Sequence, residues 1–130
     1  MTQTGSLKKK VLVVEDETII CRVCSRVLSS GDFSVEVAEN GLVAKNKIEN
    51  NHYDICLSDI RTPEMNGMEL YKFLQKSFPL LAEKTMFMTG DSMSNDVKQF
   101  LEKSKTRCIL KPFTPTELNS AINKLINQAN

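Results

Sequence analysis

Tyr53-Asp54-Ile55-Cys56-Leu57-Ser58-Asp59 is an apolar run that ends in a carboxylate, with Pro63 and the turn pair Asn66-Gly67 just beyond it. A charge at the end of a buried strand is poorly placed for stability, because burying it unpaired costs several kcal/mol or more. Two other apolar runs end the same way. Lys10-Val11-Leu12-Val13-Val14 leads into Glu15-Asp16-Glu17, and Arg107-Cys108-Ile109-Leu110 leads into Lys111-Pro112-Phe113. Three strands therefore deliver acids and one lysine toward one edge, which is how a site forms at the carboxyl ends of a parallel sheet.

Outward from these runs, strands alternate with helical patterns. The first strand, about Lys10 to Glu15, is followed by a helix with Ile20, Val23, Cys24, Val27 and Leu28 on one stripe, ended by Ser29-Ser30-Gly31. Phe33 to Val37 alternates as a strand exposed on one side, which suits an edge. Asn40-Gly41 opens a second helix running through Ile48. Asn66, with Glu69 three residues on, opens a third that buries Leu70, Phe73 and Leu74 and stops at Pro79. Thr85 to Thr89 reads as the fourth strand, Val97, Phe100 and Leu101 mark the fourth helix, and Arg107 to Leu110 is the fifth strand. Thr114-Pro115-Thr116-Glu117 is a capping box with proline at the first helical position, opening a last helix striped by Leu118, Ala121, Ile122, Leu125 and Ile126.

Five strands alternating with five helices predict an α/β domain with helices on both faces of a parallel sheet. The half-exposed second strand favours the order 2-1-3-4-5, the doubly wound, flavodoxin-like arrangement. In that order Glu15, Asp16 and Asp59 meet at one crevice, with Thr89 and Lys111 on its other side.

The 130 residues suffice for one domain; residues 1–8 read as a loose tail and 9–130 as that domain. A formal net charge of +1 argues against a nucleic-acid-binding face, and no apolar run approaches the length needed to span a bilayer. With no signal peptide at the polar start, the expected location is cytoplasmic. Cys21 and Cys24 lie in a helical pattern, while Cys56 and Cys108 lie in separate strands about 10 Å apart, so neither zinc nor a disulfide between those two is expected. His52 reads as a surface loop residue.

Three carboxylates at one edge repel each other and need counter-charge to stay ionised. Lys111 supplies a single positive charge. Hard oxygen ligands without His or Cys point to Mg²⁺ for the remainder. A partly hydrated Mg²⁺ beside Lys111 and the Thr89 hydroxyl is an arrangement for binding a phosphoryl group, and one carboxylate is then free to act as nucleophile.

With these elements in this order, the chain resembles the receiver domain of two-component response regulators, of the chemotaxis-regulator type, over residues 8–129. The matching elements are Glu15-Asp16, Asp59 with Pro63 and Asn66-Gly67, Thr89-Gly90, and Lys111-Pro112-Phe113. The resemblance implies that Asp59 is the phosphoacceptor and that Asp16, Asp59 and the Arg61 carbonyl ligate Mg²⁺, with Glu15 acting through water. It implies that Lys111 binds a phosphoryl oxygen, that Thr89 is the switch hydroxyl and that Lys111-Pro112 is cis. The implied partners are a histidine kinase or histidine phosphotransfer protein upstream, and a protein target at the surface of the fourth helix, fifth strand and last helix. The chain is then a stand-alone regulator or a receiver from a hybrid histidine kinase or larger regulator, with slow self-dephosphorylation.

The chain departs from the family pattern at three places, the last of them a pair of residues. Thr62 replaces a methionine before the proline, for which local repacking is expected. Cys108 replaces the aromatic residue that usually accompanies the switch threonine, which removes the usual rotamer coupling. Arg61 and Asp91 flank the path of attacking water in this family. They either pair and slow hydrolysis or stand as two solvated charges, and the sequence leaves both open. A phosphoaspartyl phosphohydrolase of similar fold is the rival reading, but it wants a second Asp where Arg61 stands. A nucleotide-binding module wants a Gly- or Ser/Thr-rich loop where Glu15-Asp16-Glu17 stands.

Overall fold

Alternation along the first strand sets the two sides of the molecule. In the computed structural model, which describes residues 8–90 and 94–127, β1 (Lys9–Val14) turns Val11 and Val13 to one side and Leu12 and Val14 to the other. All four are fully buried, so the strand is apolar on both faces, as a central parallel strand must be. The remaining strands are β2 (Phe33–Ala38), β3 (Ile55–Asp59), β4 (Thr85–Thr89) and β5 (Arg107–Leu110). They pair in parallel in the expected order β2-β1-β3-β4-β5.

The helices are α1 (Thr18–Ser29), α2 (Gly41–Asn50), α3 (Gly67–Ser77), α4 (Pro79–Glu83), α5 (Asn95–Ser104) and α6 (Pro115–Asn127). Leu12, Val14, Cys56 and Phe87 pack with Ala44 of α2, Leu70 and Leu74 of α3 and Val97 of α5. On the opposite face, Val13, Leu57 and Met88 pack with Leu28 of α1 and Ile122 of α6. Each side chain of this size contributes about 1.5–3 kcal/mol when fully buried.

Among the described residues the helices number six, which corrects the expected five. Pro79 ends α3, as expected, but also occupies the first position of α4. A proline lacks only a donor that the first turn does not use. Five residues are too few to show a helical period, so the sequence pattern passes over α4. The capping signals form as read: Asn66 and Glu69 close a capping box on α3, and Thr114 and Glu117 close the reciprocal pair on α6. All four cysteines are free, with Cys24 and Cys56 buried.

Candidate functional site

The register brings the charged strand ends together. Val14 lies opposite Ser58, Asp59 opposite Met88, and Thr89 opposite Leu110. Glu15 continues β1 with its backbone N–H on the Ala38 carbonyl at 2.9 Å, and Lys111 continues β5 with its N–H on the Thr89 carbonyl at 2.7 Å. The Lys111-Pro112 bond is cis.

Lys111 Nζ lies at the centre. It donates to Glu15 Oε1 at 3.2 Å, Glu17 Oε1 at 2.9 Å and Asp59 Oδ2 at 3.1 Å. The Glu15 side chain is fully buried, and those of Asp59 and Lys111 are 8% and 13% exposed. The second Glu15 oxygen accepts the Glu17 N–H at 3.1 Å, and Asp59 Oδ1 accepts the Arg61 N–H at 3.3 Å. Burial, reinforced by the Asp59 charge, pushes the Glu15 carboxyl up to about 7, although the Glu17 N–H and Lys111 oppose this. Burial alone would lower Lys111, but the hydrogen bond to Glu17 and the charge of Asp59 outweigh it and raise the ammonium above its ordinary value.

One carboxylate oxygen from each of Glu15, Glu17 and Asp59 lies within 4.8 Å of the others. Glu17 is the member that the sequence reading did not place. Its signal was available, since it follows Glu15-Asp16 directly, but which of two adjacent acids turns inward is decided by the backbone leaving β1. Asp16 is exposed and makes no ion pair among the described residues. Thr89 is 3% exposed, and its hydroxyl has no hydrogen-bond partner among the described residues.

The loop after Asp59 is held by close backbone packing. Gly67 donates its N–H to the Ile60 carbonyl at 2.9 Å, and a Cβ there would meet the Asp59 carbonyl at 2.8 Å. Gly41 donates to the Met65 carbonyl at 3.0 Å, and a Cβ there would lie 2.1 Å from the same oxygen. Thr62 adds a third strand to this knot by donating its hydroxyl to Met65 O at 2.8 Å. The departure at Thr62 is thus a new polar tie between loop residues. The Arg61 guanidinium reaches Ser94 rather than standing free; Asp91 lies outside the described residues.

A family model described as "Response regulator receiver domain" matches residues 11–123. The chain belongs to the response regulator receiver domain family. This receiver domain is 33% identical over 117 residues to the protein named "Probable transcriptional regulator ycf29" of Pyropia yezoensis, spanning 90% of the chain and 53% of that protein. It is 31% identical over 124 residues to transcription factor SKN7 of Saccharomyces cerevisiae, covering 92% of the chain and 19% of that factor. The chain therefore spans about half or less of these relatives. Among solved structures it is similar to a CheY-like response regulator receiver domain protein from Methanospirillum hungatei, with a TM-score of 0.82 and 31% identity, over 93% of this chain and 96% of that one. Membership places the chain among two-component signalling proteins, whose receivers generally act as phosphoacceptor switches rather than enzymes. No helix among the described residues is long and apolar enough to cross a membrane.

Proposed function

We propose that Asp59 accepts a phosphoryl group from a phosphohistidine on a histidine kinase or histidine phosphotransfer protein, and that the modified domain is read by a protein target. The observation that carries this reading is Asp59 itself: a nearly buried carboxylate with one oxygen on Lys111 and the other on a backbone N–H. In the reaction a carboxylate oxygen of Asp59 forms a bond to phosphorus while the histidine N–P bond breaks, and the imidazole leaves with that electron pair.

The site's donors fit Mg²⁺. They are all hard oxygens, and three clustered carboxylates face one ammonium. When bound, the ion would neutralise charge on the phosphoryl oxygens. Asp59 and Asp16 would hold it, with the Arg61 carbonyl, and Glu15 would act through water. Asp16 is the better candidate of the two acids after Glu15, because Glu17 is already paired with Lys111 whereas Asp16 makes no ion pair among the described residues. Lys111 would exchange a carboxylate for a phosphoryl oxygen, a charge-assisted bond. The Thr89 hydroxyl, without a hydrogen-bond partner among the described residues, would donate another, and its movement would pass to α5, β5 and α6 as the target surface.

The test is labelling with Mg²⁺ and a small acyl phosphate donor. Wild-type protein should gain one phosphoryl group and Asp59→Asn none. An acid-stable, base-labile phosphoryl group still present on the variant would refute the role of Asp59.

A further inference from the structure

Four helices among the described residues begin with a small polar residue suited to capping. Asn40, Asn66 and Thr114 each accept the backbone N–H three residues on, at 2.9, 2.9 and 3.1 Å. Ser94 does not. Its backbone is in the extended conformation an N-cap adopts (φ −71°, ψ 165°), yet its hydroxyl accepts no backbone N–H of its own helix. That hydroxyl instead accepts from Arg61 Nη2 at 2.7 Å and donates to the Asp96 carboxylate. Arg61 meanwhile touches Asp59 through its own backbone, the N–H lying 3.3 Å from Oδ1. One residue therefore contacts the proposed phosphoacceptor with its main chain and the start of α5 with its side chain, 33 positions away.

The geometry points to Arg61 as a positioning residue that diverts Ser94 from capping α5 and releases it when Asp59 carries a phosphoryl group. This rests on Asp59 as the phosphoacceptor. The competition favours release on chemical grounds. Ser94 offers the guanidinium a neutral oxygen, helped by the charge of nearby Asp96. A phosphoryl group offers oxygens with a full charge, matched to the planar fork of arginine, and so adds ion-pair attraction and bidentate geometry that one hydroxyl oxygen does not supply. Once Arg61 leaves, the Ser94 hydroxyl is free to accept the Val97 N–H, as its three counterparts do at their own helices. Phosphorylation would then tighten the first turn of α5, the element that places Val97 and Phe100 against the core.

Amide hydrogen exchange of the whole chain, followed by NMR, tests this with beryllium fluoride and Mg²⁺ as the phosphoryl probe. Without probe, Arg61→Ala should slow exchange at Val97 about fivefold, the effect of gaining one cap. Adding Ser94→Ala to that variant should abolish the gain, while Ser94→Ala alone should change Val97 little. With probe, the wild type should gain similar protection, and Arg61→Ala, already protected, should gain none. Equal Val97 exchange in probe-free wild type and Arg61→Ala would overturn the diversion. A full probe response in Arg61→Ala would overturn the release. If fluorine NMR shows no probe on wild-type Asp59, the phosphoacceptor reading and the release fall together, while the probe-free comparison still decides the diversion.

Discussion

Glu17 Oε1 lies 2.9 Å from Lys111 Nζ, nearer than the Asp59 oxygen at 3.1 Å. The lysine proposed to receive a phosphoryl oxygen is thus already held by an exposed carboxylate that a substrate would have to displace. Glu17→Gln weakens that competitor and should raise the rate of Asp59 phosphorylation a few-fold, with little loss of Mg²⁺ affinity. Asp16→Asn should weaken Mg²⁺ severely. Titration of both variants separates the two acids; Mg²⁺ affinity lost in Glu17→Gln and kept in Asp16→Asn would reverse the assignment.

Gly41 and Gly67 should each resist enlargement, with different consequences. The Cβ of Gly41→Ala meets Met65 O at 2.1 Å, a backbone atom already tied to Thr62, so relief requires moving the loop. Urea denaturation should show a loss of about 1–3 kcal/mol. Gly67→Ala presses on the Asp59 carbonyl and should also slow phosphorylation. A Gly67→Ala protein phosphorylated at the wild-type rate would show that this contact does not position Asp59.

Burial pushes the Cys56 thiol from about 9 up to about 12. The fold holds this proton more tightly than the unfolded chain does. Its contribution is therefore complete below pH 9 and is lost as pH rises from 9 toward 12. The slope is about 1.4 kcal/mol per pH unit. Denaturation of wild type and Cys56→Ala at pH 8, 9, 10 and 11 should show their stability difference shrinking at about that rate above pH 9. A constant difference would mean that the thiol ionises equally in both states.

Cys108 is half-buried and packs against the cluster containing Phe87 and Phe100, whose rings meet edge to face at 5.4 Å. Burial, and secondarily the Asp59 charge, pushes its thiol up to about 11, so it stays neutral near pH 7. A small thiol cannot swing between positions as a phenol ring does. Cys108→Tyr should leave Asp59 phosphorylation nearly unchanged while altering affinity for a downstream partner. In the wild type, probe-induced NMR shifts should be large at Thr89 and Gly90 and weak at Cys108. Loss of phosphorylation in Cys108→Tyr would place this residue in the chemistry.

Local sequence was enough to determine which residues are strands and caps, because apolar runs, Asn66-x-x-Glu69 and Thr114-x-x-Glu117 act over a few positions. It also determined the sheet order, since a strand apolar on both faces must be central and the half-polar Phe33–Ala38 must lie at an edge. From that order alone, Glu15, Asp59 and Lys111 had to converge. What only the tertiary structure decided depends on side-chain direction and on contacts between distant segments. Glu17 rather than Asp16 turns to Lys111, because the backbone leaving β1 aims adjacent side chains differently. Gly41 is required by Met65, 24 positions on, and no local pattern announces a close approach. Ser94 has every local mark of a cap, and an arginine from 33 positions earlier takes its hydroxyl.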